Sequence, residues 1–472
     1  MNYRFLIGNE WRDSNNRFEV INPYNSETVG TVCMGDKKDF EEAVIKGLKG
    51  FDVIKRLSSF ERAEILNRVW NGINKRKEEI AKMITLESGK PIKDSRIEVE
   101  RSINTFKIAE EEAKRLYGEF IPLDITTMSK GRIGITKRFP IGLILGITPF
   151  NFPINLVAHK IAPAIASGNS IIIKPSPLTP ITSIMLGEII SDSGIPDGVL
   201  SIIPTENSVV EEIIPDNRIK KITFTGSFRV GWNIKKKAYN KRVTLELGGN
   251  AAVIIDSDKN IEYAVERCIR GSFSYAGQVC ISVQRIFIKD NIYDRFMELF
   301  IDGIKRLKIG DPSNEDTDIG PMISLKEAER VEEWIGEAVK EGAKIIIGGS
   351  RSGSIFYPTL LTDVSPTMKV YSQEIFAPVV CLISYNKFED AIREVNNSVY
   401  GLQAGIFTRD IYKILKAYEE IDVGGIIIND VPTFRVDNMP YGGVKKSGFG
   451  REGIRYAIEE MTGIKVMVIN QL

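Results

Sequence analysis

The sequence predicts an α/β protein built on two parallel sheets, with a small β arm beside them. Three observations lead there. Short apolar runs alternate with helical stretches from residue 138 to 247, the pattern of parallel strands covered on both faces. A second alternating series starts at Ala251 and ends at Ile428. Between the two stands Gly248-Gly249, a break that neither series crosses.

In chain order, residues 59–116 are helical in period, rich in Lys, Glu and Arg, with apolar residues three and four apart. Residues 116–138 are polar and read as an extended excursion. Ile141 to Ile147 is a buried strand, a helix follows through Ile161, and Ser170 to Lys174 is the next strand. A helix over 182–190 and strands at 199–203, 221–225 and 243–247 continue the alternation. The second series begins with a strand at 251–255 and a helix to about Ser274. Strands at 286–288, 343–347, 379–383, 405–407 and 425–428 follow. A last strand over 464–469 fits neither series. These readings divide the chain into one unit of residues 1–117 and 139–248, a second of residues 249–445, and an arm of residues 118–138 and 460–472.

The composition excludes several functions. The 472 residues allow roughly three ordinary domains. With 43% hydrophobic and 26% charged residues and a net charge of +1, nothing favours nucleic acid or an anionic membrane as a partner. Cys33, Cys268, Cys280 and Cys381 form no Cys-x-x-Cys pair, which fits a reducing, cytoplasmic setting. The first residues, Met-Asn-Tyr-Arg-Phe-Leu-Ile-Gly, do not read as a signal peptide. Phe139 to Ala158 is uncharged and long enough for a membrane span, but Pro140, Pro149 and Pro153 would leave a lone helix with unpaired backbone groups. His159 is the only histidine. Multi-histidine zinc sites are therefore impossible, a nucleophile–histidine hydrolase would have to use this one residue, and no metal site is expected. Its place in a helical pattern makes it a packed helix residue.

Three motifs carry chemistry. Cys280 ends Phe273-Ser-Tyr-Ala-Gly-Gln-Val-Cys280, where Gly277 and Gln278 form a tight approach. Glu246 stands among Val243, Leu245 and Leu247, an expensive place for a carboxylate unless it has work or a partner. The glycines after it read as a hinge for a base that swings. Asn151 sits in Thr148-Pro-Phe-Asn-Phe-Pro153, where a side-chain amide can face an oxyanion or satisfy a loop carbonyl. A thiol, a carboxylate and an amide suffice to convert an aldehyde into a thioester and then an acid. Gly226, Ser227 and Gly231 lie at a strand-to-helix turn whose amides suit a phosphate. Trp232 and Asn233 stand where a nucleotide-triphosphate loop needs Lys and Ser or Thr. Lys174 ends a strand and can reach a ribose or phosphate. Gly448-Phe-Gly-Arg-Glu-Gly453 matches a dinucleotide fingerprint but lacks the strand before it, and reads as a turn under the active site.

Together these motifs resemble the aldehyde dehydrogenase superfamily along nearly the whole chain. Within it, Gly-Gln-Val-Cys-Ile-Ser and Val-Asp-Asn-Met-Pro are similar to archaeal lactaldehyde and non-phosphorylating glyceraldehyde-3-phosphate dehydrogenases. The resemblance implies two Rossmann-like domains. Residues 1–117 with 139–248 become the dinucleotide-binding domain, 249–445 the catalytic domain, and 118–138 with 460–472 an oligomerisation arm of a dimer or tetramer. It implies Cys280 as nucleophile, Glu246 as the base for water and Asn151 as oxyanion donor. It places the cofactor on Thr148, Pro149, Phe150, Lys174, Gly226, Ser227, Gly231, Leu247, Glu374 and Phe376, and the substrate tail on Arg101 and Arg435. Glu452 could accept a proton or be structural.

The cofactor expected is NADP or NAD. Pro177 stands where the family often carries the glutamate that repels a 2′-phosphate, so NADP is admissible. A small polar aldehyde of the lactaldehyde or glyceraldehyde type is the expected substrate. Succinic semialdehyde and glyceraldehyde 3-phosphate are alternatives, the latter weakened by Val279 where an arginine would precede the cysteine. A CoA-acylating relative would tend not to keep Glu246, and a non-catalytic one would not need Cys280, Glu246 and Asn151 together.

Overall fold

The computed structural model describes residues 1–257 and 259–471, so Asp258 of the second expected unit and Leu472 of the arm lie outside the described residues. Ile92–Ala113 forms a long helix, α1. The first parallel series then runs β1 (Leu143–Ile147), α2 (Asn155–Ser167), β2 (Ser170–Lys174), α3 (Ile181–Ser191), β3 (Leu200–Ile202), β4 (Ile219–Thr225), α4 (Phe228–Lys237) and β5 (Arg242–Glu246). Every residue of α2 is buried, the polar His159 and Lys160 included.

These strands lie in an eight-stranded sheet with β5-β4-β1-β2-β3 parallel at its centre. The chain moves outward from β1 to β3, then returns to the other side of β1 for β4. The crevice between the carboxyl ends of β1 and β4 is therefore a topological switch point, where such sheets bind ligands. Phe5–Ile7 and Glu10–Arg12 extend the β3 edge as an antiparallel hairpin. Gly448–Phe449 pairs antiparallel with Leu245 and Glu246 on the β5 edge. The turn expected there is thus a short strand beside Glu246.

A seven-stranded sheet holds the second series, with β6 (Ala251–Ile255) and β7 (Val283–Lys289) at its centre. Its strands are parallel except one. Lys344–Ile347, expected as another parallel strand, pairs antiparallel with Thr359–Thr362 at the sheet's edge. Its half-exposed Ile345 and Ile346 produced the apolar run that looked like a core strand. Four residues separate β5 from β6, so the carboxyl edge of the first sheet meets the amino edge of the second.

Among the smaller sheets, one three-stranded sheet stands apart from both series. Thr462–Asn470 pairs antiparallel with Arg132–Pro140 over nine residues, and Phe120–Pro122 pairs on the far side of that strand. Ile464, Val466, Met467, Val468 and Ile469 are all exposed on its edge strand. Among the described residues no helix is long and apolar enough to cross a membrane.

Candidate active site

Cys280 lies just before β7, and its loop is held in a conformation that side chains rarely adopt. Tyr275, Ala276 and Gly277 have φ of 50°, 51° and 67°. For Tyr and Ala this left-handed backbone costs on the order of 1–3 kcal/mol each, so the surroundings must enforce it. The Tyr275 hydroxyl donates to the Ser88 carbonyl at 3.1 Å, and its ring meets Phe152 edge-on. A Cβ on Gly277 would overlap the Ala377 carbonyl. Gln278 donates to the Tyr275 and Pro321 carbonyls and accepts from the Ile323 N–H at 2.8 Å. The result presents Cys280 partly exposed, whereas Cys33, Cys268 and Cys381 are buried.

Asn151 is buried, and its amide donates to the Gln278 carbonyl at 3.0 Å. One N–H therefore ties the two loops together, leaving the second free of that bond. A buried ion pair missing from the sequence reading secures this loop. Lys90 and Glu98 pair with each other; Lys90 Nζ also donates to the Asn151 carbonyl at 2.7 Å. Glu98 accepts from the N–H groups of Ile154 and Asn155. Removing one partner would cost about 3–5 kcal/mol. Lys93, Asp94 and Arg96 stand between Lys90 and Glu98 in the sequence, so nothing local marks those two as the buried pair.

Glu246, at the end of β5, is buried, and neither carboxylate oxygen has a hydrogen bond among the described residues. Burial, then the nearby Glu452 carboxylate, hold its pKa well above the usual carboxylate range. That is the condition a general base needs near neutral pH. Gly442 makes room for it, since a Cβ there would sit 2.9 Å from Glu246 Oε1. The glycine pair after it is not a free hinge. The Ser447 hydroxyl donates to the Gly248 carbonyl at 2.7 Å, and the Gly249 N–H donates to Glu374 at 3.1 Å.

Behind Glu246 lies a polar cluster around α2. Lys160 Nζ donates to Thr225 at 2.8 Å and to Glu452 at 3.2 Å. Burial alone would raise the Glu452 carboxyl, but Lys160 and Arg435 more than offset it and hold it low. His159 is the packed helix residue expected, and its Nε2 lies 2.8 Å from Asp437 Oδ1. The same oxygen accepts from Arg101 at 2.9 Å. Arg435 stacks over Tyr441 at 3.8 Å and lies 3.6 Å from Glu452. Arg101 and Arg435 are thus joined through Asp437 and His159. The Nε atoms of both arginines and Nδ1 of His159 are buried without a hydrogen bond among the described residues.

Tyr441, absent from the sequence reading, touches the cysteine: its hydroxyl oxygen lies 3.1 Å from Cys280 Sγ. Burial pushes the Cys280 thiol up to about 11, against the lowering effect of Tyr441 and Arg435. The thiol therefore rests protonated at neutral pH and needs a local base or donor to react.

Thr148, Pro149, Phe150, Lys174, Gly226, Ser227 and Leu247, expected to hold a dinucleotide, sit at the carboxyl ends of β1, β2, β4 and β5. Lys174 ends β2 with Nζ buried and bonded to Asn207 at 2.9 Å; burial pushes its pKa down to about 8. Thr148, Pro149 and Phe150 follow β1, and the Phe150 ring meets Phe376 edge-on at 5.9 Å. Gly226 and Ser227 precede α4, and a Cβ on Gly231 would lie 2.5 Å from Leu247, so this helix packs closely on the end of β5. Glu374 is half-buried beside Gly248, and desolvation raises its pKa to about 7. An ammonium, a helix start and a carboxylate are the donor and acceptor types that a dinucleotide needs.

A family model described as the aldehyde dehydrogenase family matches residues 11–467. The 3-sulfolactaldehyde dehydrogenase of Priestia aryabhattai is 45% identical over 99% of this chain and 98% of its own length. The lactaldehyde dehydrogenase of Methanococcus aeolicus is 46% identical over 98% of this chain and 99% of its own. Among solved structures, glyceraldehyde-3-phosphate dehydrogenase GapN of Methanocaldococcus jannaschii, complexed with NADP, matches with a TM-score of 0.93 at 44% identity, covering 97% of this chain and 100% of that one.

Proposed function

The chain belongs to the aldehyde dehydrogenase family, and on that premise we propose that it oxidises a three-carbon 2-hydroxyaldehyde to its acid through a thioester on Cys280. It is an NAD(P)-dependent oxidoreductase acting on aldehydes. The single observation that carries the reading is one cluster in which Cys280, Tyr441 and Arg435 follow each other in contact, with Glu246 beside Gly442.

Cys280 gives its proton to solvent water, and the resulting thiolate bonds to the aldehyde carbon as the carbonyl π pair moves onto oxygen. The second N–H of the Asn151 amide and the Cys280 backbone N–H hold the oxygen that becomes negative. Lys174, the α4 start and Glu374 would hold NAD(P), which would accept the hydride as the carbon–hydrogen bond breaks and the thioester is left. Glu246 takes a proton from water, whose oxygen then bonds to the thioester carbon while the carbon–sulfur bond breaks. The acid leaves and the thiolate is regenerated.

The substrate class rests on names and charges together. Lactaldehyde, 3-sulfolactaldehyde and glyceraldehyde 3-phosphate, the named substrates of the relatives, share a 2-hydroxypropanal head and differ in what C3 carries. In this chain the tail would meet Arg101 and Arg435, whose Nε groups await an acceptor. Asp437 and Glu452 already balance these two cations. A neutral hydroxyl or a monoanion fits that balance better than a dianionic phosphate. Steady-state kcat/KM for lactaldehyde, glyceraldehyde, succinic semialdehyde and glyceraldehyde 3-phosphate tests it. The first two should lead propanal, which lacks the hydroxyl, by tenfold or more; equal rates for propanal would contradict the reading.

The cofactor is NAD or NADP, and we expect NADP to be used at least as well as NAD. Lys174 supplies the charge for a 2′-phosphate, and no acid stands at Pro177. Exposed Glu206, beside the Asn207 that holds Lys174, is the nearest candidate to restore one. An ammonium with pKa about 8 is charged below that pH and lost above it. The NADP-to-NAD ratio of kcat/KM should therefore fall as pH rises through about 8, and Lys174→Met should make it flat. A flat ratio in the wild type would remove Lys174 from cofactor choice.

We read residues 1–117 with 139–248 as the dinucleotide-binding domain, 249–445 as the catalytic domain, and 118–138 with 460–472 as an oligomerisation arm of a cytoplasmic dimer or tetramer. The exposed apolar edge at Ile464–Ile469 is the kind of strand that seeks a partner. Sedimentation at micromolar concentration should give a dimer or tetramer, and Val466→Lys with Val468→Lys should shift it toward monomer. A monomeric wild type would contradict this assembly.

A further inference from the structure

We propose that the Tyr441 hydroxyl is a further catalytic group, donating a hydrogen bond to the Cys280 sulfur and so stabilising the thiolate that attacks. The idea rests on the reading of Cys280 as nucleophile and goes beyond it. Oxygen and sulfur lie 3.1 Å apart, and this is the only hydrogen bond of that hydroxyl among the described residues. The ring cannot turn away. Tyr441 is 3% exposed, Ile281 and Leu402 pack around it, and the Arg435 guanidinium covers one face at 3.8 Å. Its backbone is bonded both ways to Glu452, N–H to carbonyl at 3.0 Å and carbonyl to N–H at 2.6 Å. A phenylalanine would fill the same space, so packing alone does not call for the oxygen.

The surrounding charges set which atom donates. Tyr441 and Arg435 favour the thiolate, while Glu374 and Glu246 oppose it. Tyr441 in turn faces Cys280, Arg435 and Glu246, and burial holds its phenol well above the usual tyrosine range. The phenol therefore keeps its proton, and the sulfur is the acceptor. When the carbon–sulfur bond forms, negative charge moves from sulfur to the aldehyde oxygen and the Tyr441 bond weakens. When that bond breaks during hydrolysis, the electron pair returns to sulfur and meets the same O–H. The proton stays on the tyrosine oxygen throughout.

The test is the pH dependence of Cys280 alkylation by iodoacetamide in the cofactor-free enzyme, followed by peptide mass and by loss of activity. A hydrogen bond to a charged group predicts that Tyr441→Phe moves the midpoint up by roughly one pH unit, slowing alkylation below it about tenfold. The burst of reduced cofactor should slow in parallel below the midpoint and recover above it, a pattern that loose packing would not give. Site-specific 3-fluorotyrosine at 441, a stronger donor of nearly the same shape, should move the midpoint down. An unchanged midpoint in Tyr441→Phe overturns the proposal. If that variant fails to fold, an unchanged or raised midpoint with fluorotyrosine overturns it instead. Alkylation of Cys280 without loss of activity would refute the nucleophile reading separately, whatever the midpoints do.

Discussion

Cys280→Ala abolishes aldehyde oxidation, by roughly 10⁴-fold or more, while binding of NADP persists. The size of the effect follows from the geometry. The other three cysteines are buried, and burial holds the thiols of Cys268 and Cys381 far up, Cys381 to about 12. None can supply a thiolate to the cluster that Asn151, Tyr441 and Glu246 surround. The proposed cofactor holders, Lys174, the α4 start and Glu374, do not include residue 280, so cofactor affinity is expected to change by less than a few-fold. Cofactor fluorescence titration and steady-state turnover measure the two independently. Turnover within tenfold of wild type would place the nucleophile elsewhere.

Glu246→Gln separates the two halves of the reaction. Acylation needs the thiolate and the oxyanion donors, so the variant should release about one equivalent of reduced cofactor per site in a burst. Hydrolysis then falls by roughly 10²–10⁴, the usual contribution of a positioned base. The wild-type rate of that step should climb with pH as Glu246 loses its proton. Burial and Glu452 hold its pKa up, so the climb lies above the range of an ordinary carboxylate. The base works only when deprotonated, so activity is lost as pH falls through that value. Glutamine has no such titration, and the variant's slow phase should lose that limb. A normal steady-state rate in the variant would end the assignment.

Much of this architecture was legible in the sequence for a physical reason. Strands buried on both faces, such as Leu143–Ile147 and Ala251–Ile255, are apolar at every position, and helices separate them, which marks a parallel sheet. Lys344–Ile347 shows the limit. Three isoleucines in a row look like a core strand, yet they form an exposed antiparallel edge, and direction of pairing leaves no mark on composition. The hinge at Gly248-Gly249 failed similarly. Two glycines signal freedom, but Ser447 and Glu374, far away in the chain, hold them.

The candidate site divides the same way. Cys280, Glu246 and Asn151 stood out because each breaks a local rule: a thiol after a tight glycine turn, a charge among leucines, an amide between phenylalanines. Tyr441 breaks none. It follows a proline and precedes two glycines, and only the fold brings position 441 to position 280. Lys90, Glu98, Lys160 and Asp437 are charges whose burial appears only once α1 and α2 are packed together. Arg101 and Arg435 were placed by resemblance, and Asp437 and His159 supply the link between them.

The central claim is that a carbon–sulfur bond to Cys280 lies between aldehyde and acid. Glu246→Gln should accumulate that species, because its formation is spared and its hydrolysis is not. The measurement is to mix the variant with NADP and lactaldehyde, quench in acid, and map the peptides by mass. The account predicts one lactoyl group per chain, on Cys280, formed at the rate of the cofactor burst. An unmodified Cys280 after a full burst, or the acyl group on any other residue, would contradict it.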